Sequence, residues 1–246
     1  MSNEIGKKFI EMTKFSHLGK TEQMNGKPQP PIEMTWDRTL KPIDLPAPKS
    51  IEVPELNLQT AIEKRESVRK YNEKPVSLEE LSFVLWCTMG VREVIEGSLT
   101  FRNVPSAGAR HSLETFLLIN RVRGLKPGLY RYLAVEHKLI EINHKSEIAN
   151  EITEACIEQT FIKSSAVTFI WAADIERMKW RYGERGYRYV LLDAGHVCQN
   201  LYLSAEEIDC GVCAIASFYD DALNGILGLD GENNFAVYLG TMGKIR

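Results

Sequence analysis

The chain contains the stretch Arg65-Glu66-Ser67-Val68-Arg69, followed closely by Tyr71, and further along the stretch Pro105-Ser106-Ala107-Gly108-Ala109-Arg110. In the first stretch two guanidinium groups flank a hydroxyl. This set suits an anion that carries several oxygens, because each guanidinium presents a fixed fork of donors. The anion that fits best is a cofactor phosphate. In an alternative interpretation, the two cations only complement the dipole of the helix that precedes them.

The second stretch consists of small residues that leave room for a flat ligand. Its glycine permits a close approach of the backbone to such a ligand. The alternative is an ordinary turn without a ligand.

The order of these and later motifs resembles a known family. The pattern Arg-x-Ser-x-Arg-x-Tyr, followed by Pro-Ser-Ala-Gly-Ala-Arg-His-x-Leu-Glu, is similar to the nitroreductase superfamily of FMN-dependent oxidoreductases, and specifically to its SagB-type dehydrogenase branch. The resemblance extends over residues 50–246. Its remaining motifs are Gly-Leu-Tyr-Arg-Tyr at 128–132, Tyr-Gly-Glu-Arg-Gly-Tyr-Arg-Tyr at 182–189, the run from Asp193 to Ala205, and Phe-Tyr-Asp-Asp-Ala at 218–222.

This resemblance implies a fold of the α+β class, with a central, mainly antiparallel sheet flanked by helices. It also implies an intertwined homodimer whose two flavins lie at the subunit interface. We expect residues 1–50 to form an N-terminal helix and a proline-rich strap, and residues 51–246 to form the FMN-binding domain. The interleaved helical and strand patterns agree with one mixed domain.

The resemblance also assigns the residues that hold the cofactor. It implies that three residues hold the phosphate, the ribityl chain and the pyrimidine edge of FMN, namely Arg65, Ser67 and Arg69. One loop would approach the flavin ring from the other subunit, through Pro105, Ser106, Ala107 and Gly108. A third segment would cover the opposite face of the ring, through Ile215, Ala216 and Ser217.

Three further residues are candidates for cofactor contacts. Lys244 and Arg246 lie beside glycines, as in many phosphate sites, although a solvated basic tail would look the same. Gln199 and its neighbour Asn200 lie in an apolar helix, where an amide serves either the cofactor or helix packing. We expect His196, on the same helix, to be a core histidine.

Tyr182 is the leading proton donor or acceptor. In azoline-oxidising relatives a lysine precedes this tyrosine, whereas this chain has Arg181. Arginine stays protonated and cannot readily act as a base, so Arg181 puts azoline oxidation in doubt but still allows it to anchor an anionic substrate. The aromatic residues Trp180, Tyr187 and Tyr189 line the pocket or belong to the core.

Composition excludes several classes of function. A net charge of −3 over 246 residues and scattered basic residues argue against nucleic-acid binding. We find no signal peptide and no apolar run long enough to cross a membrane, so we expect a cytoplasmic protein that does not bind membranes. The five cysteines are odd in number and irregularly spaced, which argues against a disulfide framework. The pair Cys210 and Cys213 has no second pair for zinc, and we predict no metal site.

Hydrophobic periodicity and helix signals predict the elements around these motifs. Prolines between Gln29 and Pro54 predict an extended strap that could reach a partner subunit. Ser77 and Glu80 form a capping-box signature that starts a helix ending near Gly90. Further helices are predicted within residues 1–20, near 58–62, and at 146–160, 190–208 and 221–227. Strands are predicted at 115–122, 130–133, 138–142, 166–173, 212–215 and 235–239.

Three functions follow from this interpretation. The first is an FMN-dependent oxidoreductase with ping-pong hydride transfer, acting on a heterocycle or another small-molecule or peptide-derived substrate. The second takes electrons from NAD(P)H and reduces a nitro compound, a quinone or an enone. The third is a non-catalytic flavin-binding subunit of a larger complex.

Overall fold

The computed structural model describes residues 4–245, so Arg246 lies outside the described residues. Its helices are α1 (Ile5–Met12), α2 (Leu58–Lys64), α3 (Leu78–Met89), α4 (Ile148–Ala155), α5 (Phe161–Ser164), α6 (Ile175–Tyr182), α7 (Gly186–Glu207) and α8 (Asp220–Leu227). Its strands are β1 (Ile43–Asp44), β2 (Val91–Ile95), β3 (Leu99–Arg102), β4 (Leu113–Ile119), β5 (Gly128–Leu133), β6 (Lys138–Asn143), β7 (Val167–Asp174), β8 (Cys210–Ile215) and β9 (Asn234–Lys244).

Within residues 4–245, seven strands form one antiparallel sheet in the order β1-β6-β5-β4-β7-β9-β8. The central strands β4 and β7 are almost wholly buried. Because side chains alternate along a strand, Phe169 and Trp171 join a core beneath α3 and α7, while Ile170 joins a second core beneath α4, α5 and α8. The predicted α+β fold, with its mainly antiparallel sheet, is confirmed.

The capping box that begins α3 is present. Ser77 Oγ accepts from Glu80 N at 3.1 Å, and Glu80 Oε2 accepts from Ser77 N at 2.8 Å. The helix ends at Gly90, as predicted. The helix predicted at 146–160 forms as α4, but its predicted end is wrong: the helix ends at Ala155, because Ile157 and Glu158 have φ of 55°.

The proline-rich strap is only partly extended, because it turns at 37–40 and forms a short 3₁₀ helix at Pro48–Ser50. Its section around residue 34 packs against the sheet of its own chain. Met34 N donates to Glu114 Oε1 at 2.8 Å, and Arg131 donates to the carbonyl oxygens of Met34 and Thr35. Glu114 is itself buried between Arg131, at 3.1 Å, and Arg177, at 2.5 Å. The strap is therefore attached to a buried network of charges.

A second attachment of the strap runs through His137. Ser82 Oγ donates to Pro46 O at 2.7 Å and lies 2.7 Å from His137 Nε2, while Tyr132 Oη lies 2.7 Å from His137 Nδ1. Since the single proton of Ser82 goes to Pro46, this pattern places the histidine proton on Nε2 and makes Nδ1 the acceptor for Tyr132. A neutral imidazole satisfies both of these hydrogen bonds.

We expect acid to weaken the hydrogen bonds of His137 and so to lower the stability of the protein. Burial lowers the pKa of His137 below its ordinary value of 6.5, so below that pH the unfolded state binds a proton that the folded state excludes. The free energy of unfolding then falls with decreasing pH by up to about 1.4 kcal/mol per unit. Urea titrations between pH 7.5 and 5 should show that the free energy of unfolding falls less steeply with pH for His137→Gln than for wild type. His144 is exposed, so the free energy of unfolding of His144→Gln should fall with pH as that of wild type does. Equal slopes for all three proteins would show that His137 does not cause the pH dependence.

Candidate functional site

The stretch at 65–69 lies along the edge of the sheet, beside β8. Asn57 caps the preceding helix α2, which ends immediately before Arg65. Beyond Arg65 the chain is extended, and Val68 N donates to Val212 O at 2.8 Å. The stretch therefore occupies the position of an added edge strand.

Two tyrosines hold this stretch in place. Tyr202 Oη, from α7, lies 3.1 Å from Ser67 Oγ and accepts from Ala214 N at 2.9 Å. Tyr71 Oη donates to Val68 O at 2.7 Å and lies 2.7 Å from Thr241 Oγ1 on β9. The backbone around Ser67 is thus fixed from both sides.

The charges of this stretch are available to a ligand. Arg69 is exposed and Arg65 half-buried, with its guanidinium carbon 5.3 Å from the centre of the Tyr202 ring. Neither arginine has a carboxylate within 4 Å in the part of the chain that the structure describes. Burial raises the pKa of the Cys213 thiol, and the charge of Arg69 opposes this rise, so Arg69 acts on the same region of β8. Two unpaired guanidiniums beside a hydroxyl fit a phosphate group.

A second group of residues lies near the other end of α7. Gly108 has φ of 56°, and a Cβ placed there would lie 2.3 Å from Tyr182 Oη and 3.1 Å from Arg181 Nε. Ala107 N donates to Asp193 Oδ1 at 3.2 Å, and His111 N donates to Ser106 Oγ at 2.9 Å. The loop at 105–110 therefore packs directly against the two residues predicted to be catalytic.

Asp193 is the anchor of this loop. It is 4% exposed, and burial raises the pKa of its carboxyl, while hydrogen bonds from Ser106 and Ala107 oppose the rise. Behind the loop, the ring centres of Tyr182 and Tyr189 lie 4.9 Å apart in an edge-to-face contact. Trp180 is buried and donates to Lys27 O at 2.8 Å, so it belongs to the packing beneath the N-terminal segment.

Comparison with known proteins decides the family. The family model for nitroreductases matches residues 62–244. The chain belongs to the nitroreductase family. It is therefore an oxidoreductase, and this family is generally flavin-dependent.

Two relatives show how far the similarity extends. A nitroreductase relative from Methanocaldococcus jannaschii is 36% identical over 176 residues, which are 72% of this chain and 86% of the relative. The trifolitoxin-processing protein TfxB of Rhizobium leguminosarum bv. trifolii is 30% identical over 131 residues, which are 52% of this chain and 35% of that protein.

Solved structures share the fold. A nitroreductase-family structure from Anabaena variabilis has a TM-score of 0.70 and 28% identity over 85% of this chain and 42% of its own. The E. coli microcin synthetase McbBCD complex with truncated pro-MccB17 has a TM-score of 0.62 and 16% identity over 98% of this chain and 92% of its own. This nitroreductase thus spans less than half the length of the Anabaena and Rhizobium proteins.

The remaining predicted site residues differ in exposure and in the partners they have. Ile215 ends β8 and is buried, while Ala216 and Ser217 follow it and are exposed. Lys244 Nζ is directed at Glu80 and Ile208 O, so its charge is already paired within this nitroreductase. Gln199 is exposed on α7.

Three other expectations from sequence have clear outcomes. Asn200 donates to Cys87 O at 2.9 Å, which is the helix-packing role. The expectation of a core histidine at His196 is wrong, because this side chain lies on the exposed face of α7. Cys210 and Cys213 are both free thiols on β8, where a spacing of three residues directs them to opposite faces of the sheet.

Between residues 4 and 245, no helix is long and apolar enough to cross a bilayer. The same part of the chain holds no group of three or more His, Cys, Asp or Glu residues placed to bind a metal ion.

The residues that sequence reasoning missed are the anchors, Tyr202 and Asp193. Both belong to the motif at 193–205, but their partners lie far away in sequence: Ser67 is 135 residues from Tyr202, and Ala107 is 86 residues from Asp193. Nine positions separate the two anchors on α7, which is about 13 Å along a helix axis. Each anchor serves a different group of site residues.

Gly211 offers a test of the edge position of the arginine stretch. A Cβ at this position would lie 2.6 Å from Val68 Cβ, so Gly211→Ala should push residues 65–69 away from β8 without removing a polar group. We expect a loss of about 1–3 kcal/mol in the free energy of unfolding, together with weaker flavin binding.

The matched control for Gly211→Ala is Gly225→Ala, because a Cβ at Gly225 would meet nothing within 4 Å. Urea unfolding and flavin titration measure the two effects. Equal flavin affinity in both variants would show that the edge position of residues 65–69 does not matter for the site.

Proposed function

We propose that this nitroreductase is an FMN-dependent oxidoreductase of the SagB-type branch, which takes a hydride from a carbon of a heterocyclic or peptide-derived substrate. The observation that carries the proposal is the pair of unpaired guanidiniums, Arg65 and Arg69, on either side of Ser67. Both arginines lie in the segment along one edge of the sheet, where Tyr202 and Tyr71 hold the chain in place.

The proposal assigns residues of this chain to each part of FMN. Arg65 and Ser67 would hold the phosphate and the ribityl chain, because a guanidinium and a hydroxyl are strong partners for phosphate oxygens. Arg69 would lie at the pyrimidine edge, where its charge favours the electron-rich reduced ring. Bound FMN supplies the chemistry by storing the hydride between the two half-reactions. Ala216 and Ser217 would cover one face of the ring.

The loop at 105–108 reaches the flavin in this proposal only from a second copy of the chain. Within one chain the loop is anchored at Asp193, whereas Ser67 is anchored at Tyr202. Two copies of α7 that cross antiparallel about a twofold axis would bring Asp193 of one copy beside Tyr202 of the other. Leu191 and Leu192 support this arrangement, because both are 56% exposed on α7. Each site would then combine the arginine stretch of one copy with the loop at 105–108 of the other.

Tyr182 and Arg181 would act on the substrate. The Tyr182 hydroxyl is the group that can hold and pass on a proton, and the exposed Arg181 lies beside it, with its guanidinium carbon 5.8 Å from the centre of the Tyr182 ring. Because Arg181 stays charged, its role is to bind an anionic group of the substrate and to orient it. The half-buried aromatic residues near Tyr182 exclude water from the reacting carbon.

The relatives support the peptide-derived class of substrate. One of them is a trifolitoxin-processing protein, and a structural neighbour is a microcin synthetase complex that holds a truncated precursor. We also propose that the enzyme works in the cytoplasm, as its irregular cysteines suggest, and that residues 51–246 form the flavin-binding domain, with 1–50 as its N-terminal extension.

The proposed function is tested with the purified protein. We expect a bound flavin that is identified as FMN after denaturation and is reoxidised by oxygen. In the absence of oxygen, NADPH or NADH should leave the visible flavin band unbleached on the timescale of turnover, because the organic substrate is the electron donor.

The other outcomes are distinct. Rapid bleaching by NADPH would replace the proposal with a nicotinamide-driven reductase of nitro compounds, quinones or enones. A flavin that no donor reduces would favour a non-catalytic flavin-binding subunit. Failure to bind added FMN would contradict the assignment of Arg65, Ser67 and Arg69.

A further inference from the structure

One cleft of the described chain lies outside the cofactor residues. It is formed between α1, the segment 13–21 and the turn at 183–187, and has a volume of about 770 Å³. We call it the N-terminal cleft. This volume is in the range of sites that bind ligands of substantial size. Its apolar lining consists of Ile5, Phe9, Met12, Leu18 and Tyr187.

The helix on one side of the cleft lacks an apolar partner. No residue of α1 is buried, and Ile5 is 73% exposed, Met12 54% and, just beyond the helix, Phe15 71%. Polar contacts hold the end of α1 instead, since Arg188 donates to Ile10 O at 2.8 Å and Arg185 to Thr13 O at 2.7 Å. Apart from the half-buried Phe9, the apolar side chains of α1 are thus largely exposed in the described chain.

The charges of the cleft are strongly one-sided. Four cations line it, namely Lys8, Lys14, Lys20 and Arg185, against the single carboxylate of Glu184. Lys14 is paired with Glu11 at 2.5 Å. Lys8, Lys20 and Arg185 have no carboxylate within 4 Å among residues 4–245. An occupant with carboxylates beside apolar side chains would complement this lining.

The cleft adjoins the proposed reaction centre. Its wall includes Gly183, the residue after Tyr182, and a Cβ at Gly183 would lie 3.2 Å from Leu18 Cδ1. One wall of the cleft is therefore one residue along the chain from Tyr182. The length of α1 is about 12 Å, which corresponds to three or four residues of extended peptide.

We propose that the N-terminal cleft binds an acidic, apolar segment of a peptide substrate, next to the residue that reacts at Tyr182. This inference rests on the proposed function for the reaction itself, but it concerns a separate surface. The carboxylates of the segment bind Lys8, Lys20 and Arg185, and its apolar side chains cover Phe9 and Met12. The cleft thereby selects substrates by sequence at a distance from the reacting carbon.

Fluorescence anisotropy tests the cleft on the full-length protein. The probe is a short fluorescein-labelled peptide in which Asp and Glu alternate with Leu and Phe, and the comparison peptide carries Lys in place of the acidic residues. We expect the acidic peptide to bind more tightly. The double variant Lys8→Glu/Lys20→Glu should weaken its binding by about tenfold or more, because two attractions become repulsions.

The matched control is Lys7→Glu/Lys41→Glu, which changes the net charge by the same amount at positions outside the cleft. It should bind the acidic peptide as wild type does. FMN content and the visible spectrum, recorded on the same samples, report on the flavin site alone, so failure of the proposed function is seen separately.

Two results would overturn the inference. Equal weakening in both double variants would show only a general charge effect. Unchanged peptide binding, with an altered oligomeric state in the Lys8→Glu/Lys20→Glu variant by light scattering, would assign the cleft to contact between copies of this chain.

Discussion

The double variant Arg65→Ala/Arg69→Ala is expected to lose its flavin. Hydrogen bonds to charged groups contribute about 1.5–3 kcal/mol each, so removing two guanidiniums weakens FMN binding by roughly a hundredfold to ten-thousandfold. Neither arginine pairs with a carboxylate in the described chain, so the substitutions leave no buried charge without a partner. The measurement is the FMN content after purification, followed by titration with added FMN.

The control for this variant is Lys70→Ala, which removes an exposed cation from the same segment. Lys70→Ala should retain FMN, since the proposal gives Lys70 no contact with the cofactor. Circular dichroism and urea unfolding should show that both variants are folded. Undiminished FMN affinity in the folded double variant would contradict the proposed phosphate site.

Glu114→Gln is expected to destabilise the protein strongly. Glu114, Arg131 and Arg177 are each nearly inaccessible to solvent, and the carboxylate contacts both guanidiniums. Loss of its charge leaves Arg131 buried without a carboxylate and Arg177 with Asp174 alone, at 3.2 Å, which costs about 3–5 kcal/mol. It also weakens the attachment of the strap, because Met34 N donates to Glu114 Oε1. Urea unfolding at pH 7.5 measures the loss.

Glu114 and His137 both make the protein less stable in acid, but for different reasons. The fold favours the charged form of Glu114 and the neutral form of His137. Burial alone would raise the pKa of Glu114, but Arg177 and Arg131 outweigh it and hold the pKa below its ordinary value of 4.5. Its contribution to stability is thus complete above the unfolded-state pKa and is lost as the pH falls through the folded-state pKa. Glu114→Gln should remove this acid-sensitive component.

The surface variant Glu154→Gln serves as control, because this residue on α4 is exposed. Its free energy of unfolding should lie within about 0.5 kcal/mol of wild type. A loss below about 1 kcal/mol for Glu114→Gln would show that water or relaxation compensates the two arginines.

The sequence predicted the helices and strands whose local residue patterns are strong. The capping box of α3, the strong apolar period of α7 and the apolar run of β7 are properties of consecutive residues, and all three elements form. By contrast, α6 was not predicted, although Ile175, Met178 and Tyr182 recur at helical spacing. Arg177, on this helix, is buried through pairing with Glu114, 63 residues away, which no local pattern reveals.

The length of β9 was underestimated for a related reason. The prediction ended at 239, whereas the strand continues to Lys244 through Gly240 and Gly243, residues that seldom favour a strand. Here glycine is required by close packing: a Cβ at Gly240 would lie 2.7 Å from Leu201, and one at Gly243 would lie 2.9 Å from Tyr71. Such packing depends on tertiary neighbours.

The candidate site also contains residues that local motifs indicate and residues that only tertiary contacts reveal. Its chemically distinctive residues, such as Arg65, Ser67, Arg69 and Tyr182, were proposed from their motifs. The residues that position them, Tyr202 and Asp193, required the structure, because each contact spans a large separation in sequence. The structure also directs Lys244 toward α3, which local composition did not indicate.

Mixed dimers test the central claim, that each flavin site joins the arginine stretch of one copy to the loop at 105–108 of another. Two differently tagged chains are coexpressed, one carrying Arg65→Ala/Arg69→Ala and the other Gly108→Trp, and the doubly tagged dimer is purified. Each parent homodimer should lack FMN, since every site has one defective half. The mixed dimer should bind one FMN, because its second site receives both intact halves. A mixed dimer without FMN, or a Gly108→Trp homodimer that retains its FMN, would contradict the account.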